Sequence, residues 1–277
     1  MTKTIQEALR WASSLLGTAG ADADGARYVL EIRLDWSPSQ LQLHARDALT
    51  EAQWTQFEAD VARLVKFEPA QYVVGVAPFF GDLFNVTPAV LIPRFDTEEL
   101  VAWAAAEQGQ ATTGLDLGTG SGAIGLTLAK QLPSVAMTLS DVSPAALAVA
   151  QINANRLRRA VRLVESDMFA ALPERFDFIV SNLPYISHAE EAVMDESTKR
   201  YEPALALYAD HAGLALFERF VAALPAHLNA GGAAYLEFGY HQRAALAALV
   251  AAQLPGWQAE FRRDLAGQDR MLKLTKE

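Results

Sequence analysis

Apolar positions recur every three to four residues over the first quarter of the chain. Ile5, Leu9, Ala12 and Leu16 share one helical face. Ala26, Val29, Leu30 and Ile32 do so within residues 23–35, and Trp54, Phe57, Val61 and Leu64 within residues 51–66. The pattern predicts three short helices, a small bundle over residues 1–70. After Pro69 the texture changes. Residues 71–75 read as a β-rich run, and residues 79–84 as a hairpin turning at Gly81-Asp82 between aromatic strand formers. Residues 71–92 are thus expected to form a β-hairpin linker. Asp96 stands where it can cap a helix from Thr97 to about Glu107, with Glu99 at the capping-box position.

From residue 113 onward, short apolar runs alternate with helical periodicity. Strands are predicted at 114–117, 136–140, 161–164, 176–181 and 232–238, with a closing pair at 258–262 and 271–274. Helices fall between them: one runs to Leu132, one starts at Ser143-Pro144, one is opened by Ala212-Gly213, and one covers 242–254. This alternation predicts a doubly wound, mostly parallel α/β sheet over residues 93–277. Ligands of such sheets bind at the carboxyl ends of the strands.

Composition narrows the chemistry. The chain has 277 residues, of which 51% are hydrophobic, enough for a substantial core. It lacks cysteine, so disulfides and thiolate metal sites are excluded. Its five histidines show no ligand spacing, and no metal is expected. The formal net charge is −10, and the densest basic stretch is only Arg156-Leu157-Arg158-Arg159. Nucleic acid is a poor first partner on that basis. Neither a signal-peptide core nor an apolar run of about 20 residues is present, so the expected location is cytoplasmic, with no membrane partner.

Two motifs carry the chemistry. Asp116-Leu117-Gly118-Thr119-Gly120-Ser121-Gly122 follows a predicted strand and opens a helix. Its glycines let the backbone turn sharply and approach a ligand. Gly118, Gly120 and Ala123 also satisfy the loose dinucleotide fingerprint, so NAD is a competing occupant. Asp116 favours the ammonium end of S-adenosylmethionine, because it would repel a pyrophosphate. Asp141, ending the next strand, is placed to accept ribose hydroxyls from either cofactor. Asp167 and Met168 follow the third strand, where an adenine needs an acceptor and an apolar wall.

The second motif, Asn182-Leu183-Pro184-Tyr185, directly follows the fourth strand, which should lie beside the first. An amide nitrogen is a weak nucleophile because its lone pair is delocalised. Two acceptors aimed at its N–H bonds would hold it for attack on a donor methyl. The Asn182 side-chain oxygen and the Leu183 carbonyl supply them, and Tyr185 can cover the flat face of the group. Positioning of this kind can lower a barrier by up to about 7–11 kcal/mol.

The two motifs together resemble those of class I methyltransferases with an Asn-Pro-Pro-Tyr motif. The chain as a whole resembles the bacterial release-factor glutamine methyltransferases. Residues 68–75, 86–94 and 96–98 carry the resemblance, as do Tyr201-Glu202-Pro203-Ala204-Leu205-Ala206-Leu207, Leu236-Glu237-Phe238-Gly239-Tyr240 and Asp264-Leu265-Ala266-Gly267. It implies a seven-stranded, Rossmann-like sheet and a helical N-terminal domain that docks a peptide chain release factor. It also implies S-adenosylmethionine-dependent methylation of the glutamine in that factor's Gly-Gly-Gln loop. By the same resemblance the glycine turn, Asp141, Met168 and Asn182 bind cofactor, while the tetrapeptide grips the glutamine. Methylation of a ribosomal-protein glutamine, or of an adenine amine in DNA or RNA, is the alternative. Three positions depart from the family pattern: Leu183 replaces the usual first proline, Phe95 a proline after Arg94, and Met168 a common aromatic.

Overall fold

A computed structural model describes residues 3–276, which divide into two compact units. One comprises the chain up to Val76 together with Met194–Glu202; the other comprises Ala77–Val193 and Pro203–Glu277.

The first unit is helical. Its helices span Ile5–Ala19, Asp24–Leu34, Pro38–Leu43, Glu51–Leu64, Ala70–Val74 and Glu196–Tyr201. Thr4 with Glu7, Ser37 with Gln40, and Thr50 with Gln53 form reciprocal capping boxes that satisfy the orphan N–H groups at three helix starts. Ile5, Ala12, Leu16, Val29, Leu30, Phe57, Val61 and Leu64 join one core, as the periodicity predicts. Among them is a buried charge: Asp60, 1% exposed, accepts two bonds from the Arg33 guanidinium at 2.9 and 3.0 Å. Tyr201 ties the separate Met194–Glu202 segment in by donating to the Lys66 carbonyl at 2.9 Å.

The predicted β-rich run at residues 71–75 is instead the Ala70–Val74 helix, closed by Gly75 with φ 82°. Its Val73-Val74 pair misleads a local reading. What holds the helix is distant in sequence. Arg33 and Arg63 donate to the Val73 carbonyl at 3.1 and 3.0 Å, and Arg63 also donates to the Tyr72 carbonyl at 3.3 Å. Cations thus satisfy carbonyls that a helix end leaves open.

A hairpin follows, β1 (Val76–Phe79) and β2 (Asp82–Asn85), all of it but Val76 in the second unit. Its turn residues are Phe80 and Gly81, at φ 49° and 80°, one position earlier than predicted. The next helix runs Phe95–Glu107, with Arg94 rather than Asp96 at its N-cap and no side-chain cap bond. The first-turn side chains have long-range partners instead. Thr97 bonds Glu237, Glu98 accepts from the Phe80 N–H, and Glu99 accepts from the Leu265 N–H. Phe95 itself occupies the first helical position, where proline is well accommodated.

Seven strands form the central sheet: β3 (Thr113–Leu117), β4 (Ala136–Asp141), β5 (Arg162–Glu165), β6 (Phe176–Ser181), β7 (Leu228–Glu237), β8 (Trp257–Arg263) and β9 (Asp269–Lys276). Their order is β5-β4-β3-β6-β7-β9-β8. All neighbours are parallel except β9, which is antiparallel to both β7 and β8. Alternate residues of the strands enter two cores. Phe178 and Val180 join Leu100, Ile124 and Leu128, while Leu115, Leu117 and Ile179 join Phe217, Phe220 and Leu246. The sheet is therefore covered on both faces, and the strand order reverses between β3 and β6. The predicted helix after Gly213 begins at Ala215 and ends at His227. His211 and Ala212 are left-handed, at φ 54° and 55°, so the helix cannot start there. Among the described residues, no helix is long and apolar enough to cross a membrane.

Candidate active site

The carboxyl ends of β3 and β6, the topological switch point, open into a cavity of about 370 Å³ within the second unit. Ser181 at the end of β6 donates to the Leu117 carbonyl at the end of β3, tying the two strand ends at 2.5 Å. Each strand continues into one of the two motifs.

The glycine turn leaves β3 with Gly118, Gly120 and Gly122 at φ 75°, 54° and 83°, values that side chains rarely tolerate. Gly118 and Thr119 donate their N–H groups to the Ser140 carbonyl at 2.8 and 2.9 Å, which fastens the turn to β4. Buried Asn153 holds the other side. Its amide donates to the carbonyls of Ser121 and Asn85 at 2.8 and 3.0 Å and accepts from the Asn85 N–H at 2.7 Å.

Gly118, Thr119, Gly120 and Ser121 line the cavity, with Asp141, Asp167, Met168, Asn182, Leu183 and Pro184. Asp116, Gly122 and Tyr185 are not in its wall. Asp116 is fully buried behind the turn, where Oδ2 accepts from the Thr119 hydroxyl at 2.5 Å and the Gly125 N–H at 2.8 Å. Its Oδ1 is buried with no hydrogen-bond partner among the described residues. Burial pushes the Asp116 carboxyl up to about 7, and the nearby Asp141 adds to the rise against the two hydrogen bonds. Asp141 receives the Gly120 N–H on Oδ2 at 2.8 Å and the Ser143 N–H on Oδ1 at 2.9 Å. Burial raises its pKa too, opposed by those backbone bonds. Met168 has φ 51°, and its carbonyl accepts from the Ser166 hydroxyl at 2.8 Å. Asp167 forms an exposed ion pair with Arg219 at 2.8 Å.

The tetrapeptide sits opposite the turn. Leu183 is 3% exposed, and its Cδ2 lies 3.8 Å from where a Cβ on Gly118 would stand. The two motifs are therefore in packing contact. Asn182 Nδ2 donates to Thr97 Oγ1 at 3.2 Å, and Thr97 donates to Glu237 Oε2 at 2.6 Å. The Tyr185 hydroxyl donates to Glu237 Oε1 at 3.1 Å, and the Tyr185 carbonyl accepts from Gln242 Nε2 at 2.9 Å. Burial raises the Glu237 pKa, while Thr97, Tyr185 and the charge of Arg270 oppose the rise. Burial likewise pushes the Tyr185 phenol up, with Glu237 adding to the effect. Gly213 approaches so closely that a Cβ there would fall 2.0 Å from the Tyr185 carbonyl oxygen.

Thr97, Asn153, Gly213 and Glu237 were given no site role from sequence. Glu237 had a visible signal, an acid ending the apolar run of β7 in a burial pattern that offers it no water. Asn153 and Gly213 act across 32 and 28 positions and leave no local mark.

The arrangement suits an adenosyl ligand on its own geometry. The cavity lies within the range of about 300–1,000 Å³ usual for small-molecule sites. At Gly120 nothing stands within 4 Å of a would-be Cβ, so the turn presents bare backbone. Carboxylates at Asp141 and Asp167 lie in the same wall as the apolar Met168.

Residues 7–75 match the family model described as the PrmC N-terminal domain, and residues 92–201 that of the methyltransferase small domain. The release factor glutamine methyltransferase of Enterococcus faecalis is 37% identical over 98% of this chain and 99% of that protein. Its counterpart from Cereibacter sphaeroides is 41% identical over 96% of each. Among solved structures, a methyltransferase from Pyrococcus furiosus shares the fold at 17% identity, with a TM-score of 0.54 over 82% of this chain and 99% of that one. Identity of this level along nearly the full length of both proteins shows that the chain belongs to the release factor glutamine methyltransferase family.

Proposed function

We propose that this enzyme transfers a methyl group from S-adenosylmethionine to the side-chain amide nitrogen of the glutamine in the Gly-Gly-Gln loop of peptide chain release factors. One observation carries the reading. The glycine turn and Asn182-Leu183-Pro184-Tyr185 flank a single cavity at the switch point, with Leu183 packed on Gly118.

In this reading Gly118 to Ser121 supply a bare backbone cradle, while Asp116 holds the turn from behind and the Gly122 N–H closes it on the Thr119 carbonyl. Asp141 takes the ribose hydroxyls, and Asp167 with Met168 borders the adenine. S-adenosylmethionine, when bound, supplies an electrophilic methyl on a sulfonium. The chain itself clamps the substrate nitrogen. Asn182 Oδ1 and the Leu183 carbonyl each accept one of its N–H bonds. Replacing the usual proline by Leu183 leaves that carbonyl in place, and Pro184 keeps Leu183 biased to an extended backbone. Pro184 walls the cavity, and Tyr185 is anchored through its hydroxyl. Alignment of the two groups supplies the rate. The helical unit, which carries the match to the PrmC N-terminal domain, is assigned to docking the release factor.

Incubation of the protein with methyl-labelled S-adenosylmethionine and purified release factor tests this. Label is expected on one glutamine and is expected to vanish in Asn182→Ala. Label on a ribosomal protein or on nucleic acid, with none on release factor, would overturn the substrate assignment.

A further inference from the structure

Which end of the Asn182 amide faces the substrate decides whether the clamp works. Its oxygen attracts a substrate N–H, whereas its NH2 group would repel one. The amide is symmetric in shape, so packing alone does not choose between the two orientations. The bonds behind it do.

Thr97 is 4% exposed and Glu237 is 2% exposed, so neither can satisfy itself with bulk water. A threonine hydroxyl has one proton to give. Here it goes to Glu237 Oε2 at 2.6 Å. Only lone pairs then remain on Thr97 Oγ1 for Asn182, at 3.2 Å. Asn182 must turn its NH2 toward Thr97, which leaves Oδ1 as the end free for a substrate. The same carboxylate accepts the Tyr185 hydroxyl on Oε1 at 3.1 Å. One buried group thus sets the polarity of Asn182 and anchors Tyr185, two residues of the tetrapeptide, from an otherwise separate strand.

We infer that Thr97 and Glu237 are positioning residues, which fix the Asn182 amide with its oxygen toward the substrate nitrogen. This rests on the reading that Asn182 grips that nitrogen. Thr97→Val removes the hydroxyl at nearly constant volume and lets the amide turn over. Thr97→Ser restores the relay.

The test uses the full chain with labelled S-adenosylmethionine and release factor, and measures kcat and KM for both substrates. Thr97→Val should lower kcat about 10- to 100-fold while either KM moves by less than about threefold. Thr97→Ser should return kcat to within about threefold of the wild type. Serine would also restore a stability lost with the hydroxyl, so a thermal melt of each variant, together with the kcat-against-KM split, separates positioning from a general loss of structure. Should valine prevent folding, Thr97→Ala carries the same expectation. A Thr97→Val enzyme with unchanged kcat, or one that serine fails to rescue, overturns the inference. Asn182→Ala keeps the two claims apart. If it still methylates the glutamine, the clamp itself is wrong. If it is inactive while Thr97→Val is unaffected, only the positioning role falls.

Discussion

Asp116 keeps its proton to about pH 7 because burial outweighs the bonds from Thr119 and Gly125. In the unfolded chain the same carboxyl ionises near 3.8. The folded state therefore binds this proton more tightly, and the resulting stabilisation is present in full below pH 3.8 and lost as pH rises to about 7. Asp116→Asn removes the titration. Over that window the melting temperature of the wild type should fall relative to the variant, as followed by thermal scans in a pH series. Parallel curves would show that Asp116 is not the source. Among single residues, those whose place follows from a local motif were legible in the sequence. The glycines, Asp141 and Asn182 fall where a strand ends and a turn begins. Side-chain direction was not legible. Asp116 points behind the turn and Tyr185 toward Glu237, because their partners come from elsewhere in the chain.

Gly213 shows how one element can depend on another far away. Its φ of 83° and the 2.0 Å approach to the Tyr185 carbonyl leave no room for a side chain. Gly213→Ala should destabilise the protein by about 2 kcal/mol or more and abolish methyl transfer, read by urea unfolding and the label assay. A stable, active variant would mean that the tetrapeptide tolerates displacement. The Ala70–Val74 helix depends on Arg33, which also neutralises buried Asp60. Arg33→Ala should cost about 3 kcal/mol by leaving that carboxylate unpaired, although Gln56 still donates to it at 3.0 Å. A loss under about 1 kcal/mol would show that water reaches Asp60. Elements with strong periodicity, such as Ile5–Ala19 and Phe176–Ser181, could be read from pattern alone. The short Pro38–Leu43 helix and the Ala70–Val74 helix could not, since too few residues set a period and tertiary bonds outweigh propensity.

Every residue in the cavity wall belongs to the second unit. An adenosyl ligand should therefore slow amide exchange around residues 118–122, 141–143 and 166–168, and leave Ile5–Ala19 and Glu51–Leu64 unchanged in hydrogen-exchange mass spectrometry. Protection confined to the helical unit would relocate the site. The doubly wound class was legible from alternation, whereas the division of the chain between units was not. Sequence order suggested a boundary near residue 70, but a unit can recruit a later segment through side chains such as Tyr201. That recruitment has a consequence for synthesis. The helical unit lacks one helix until residue 202 has left the ribosome, so Lys66 waits through well over a hundred codons before its partner Tyr201 arrives. A gene fusion that transplanted only the first 76 codons would deliver an unfinished module and strand the Glu196–Tyr201 helix in the parent.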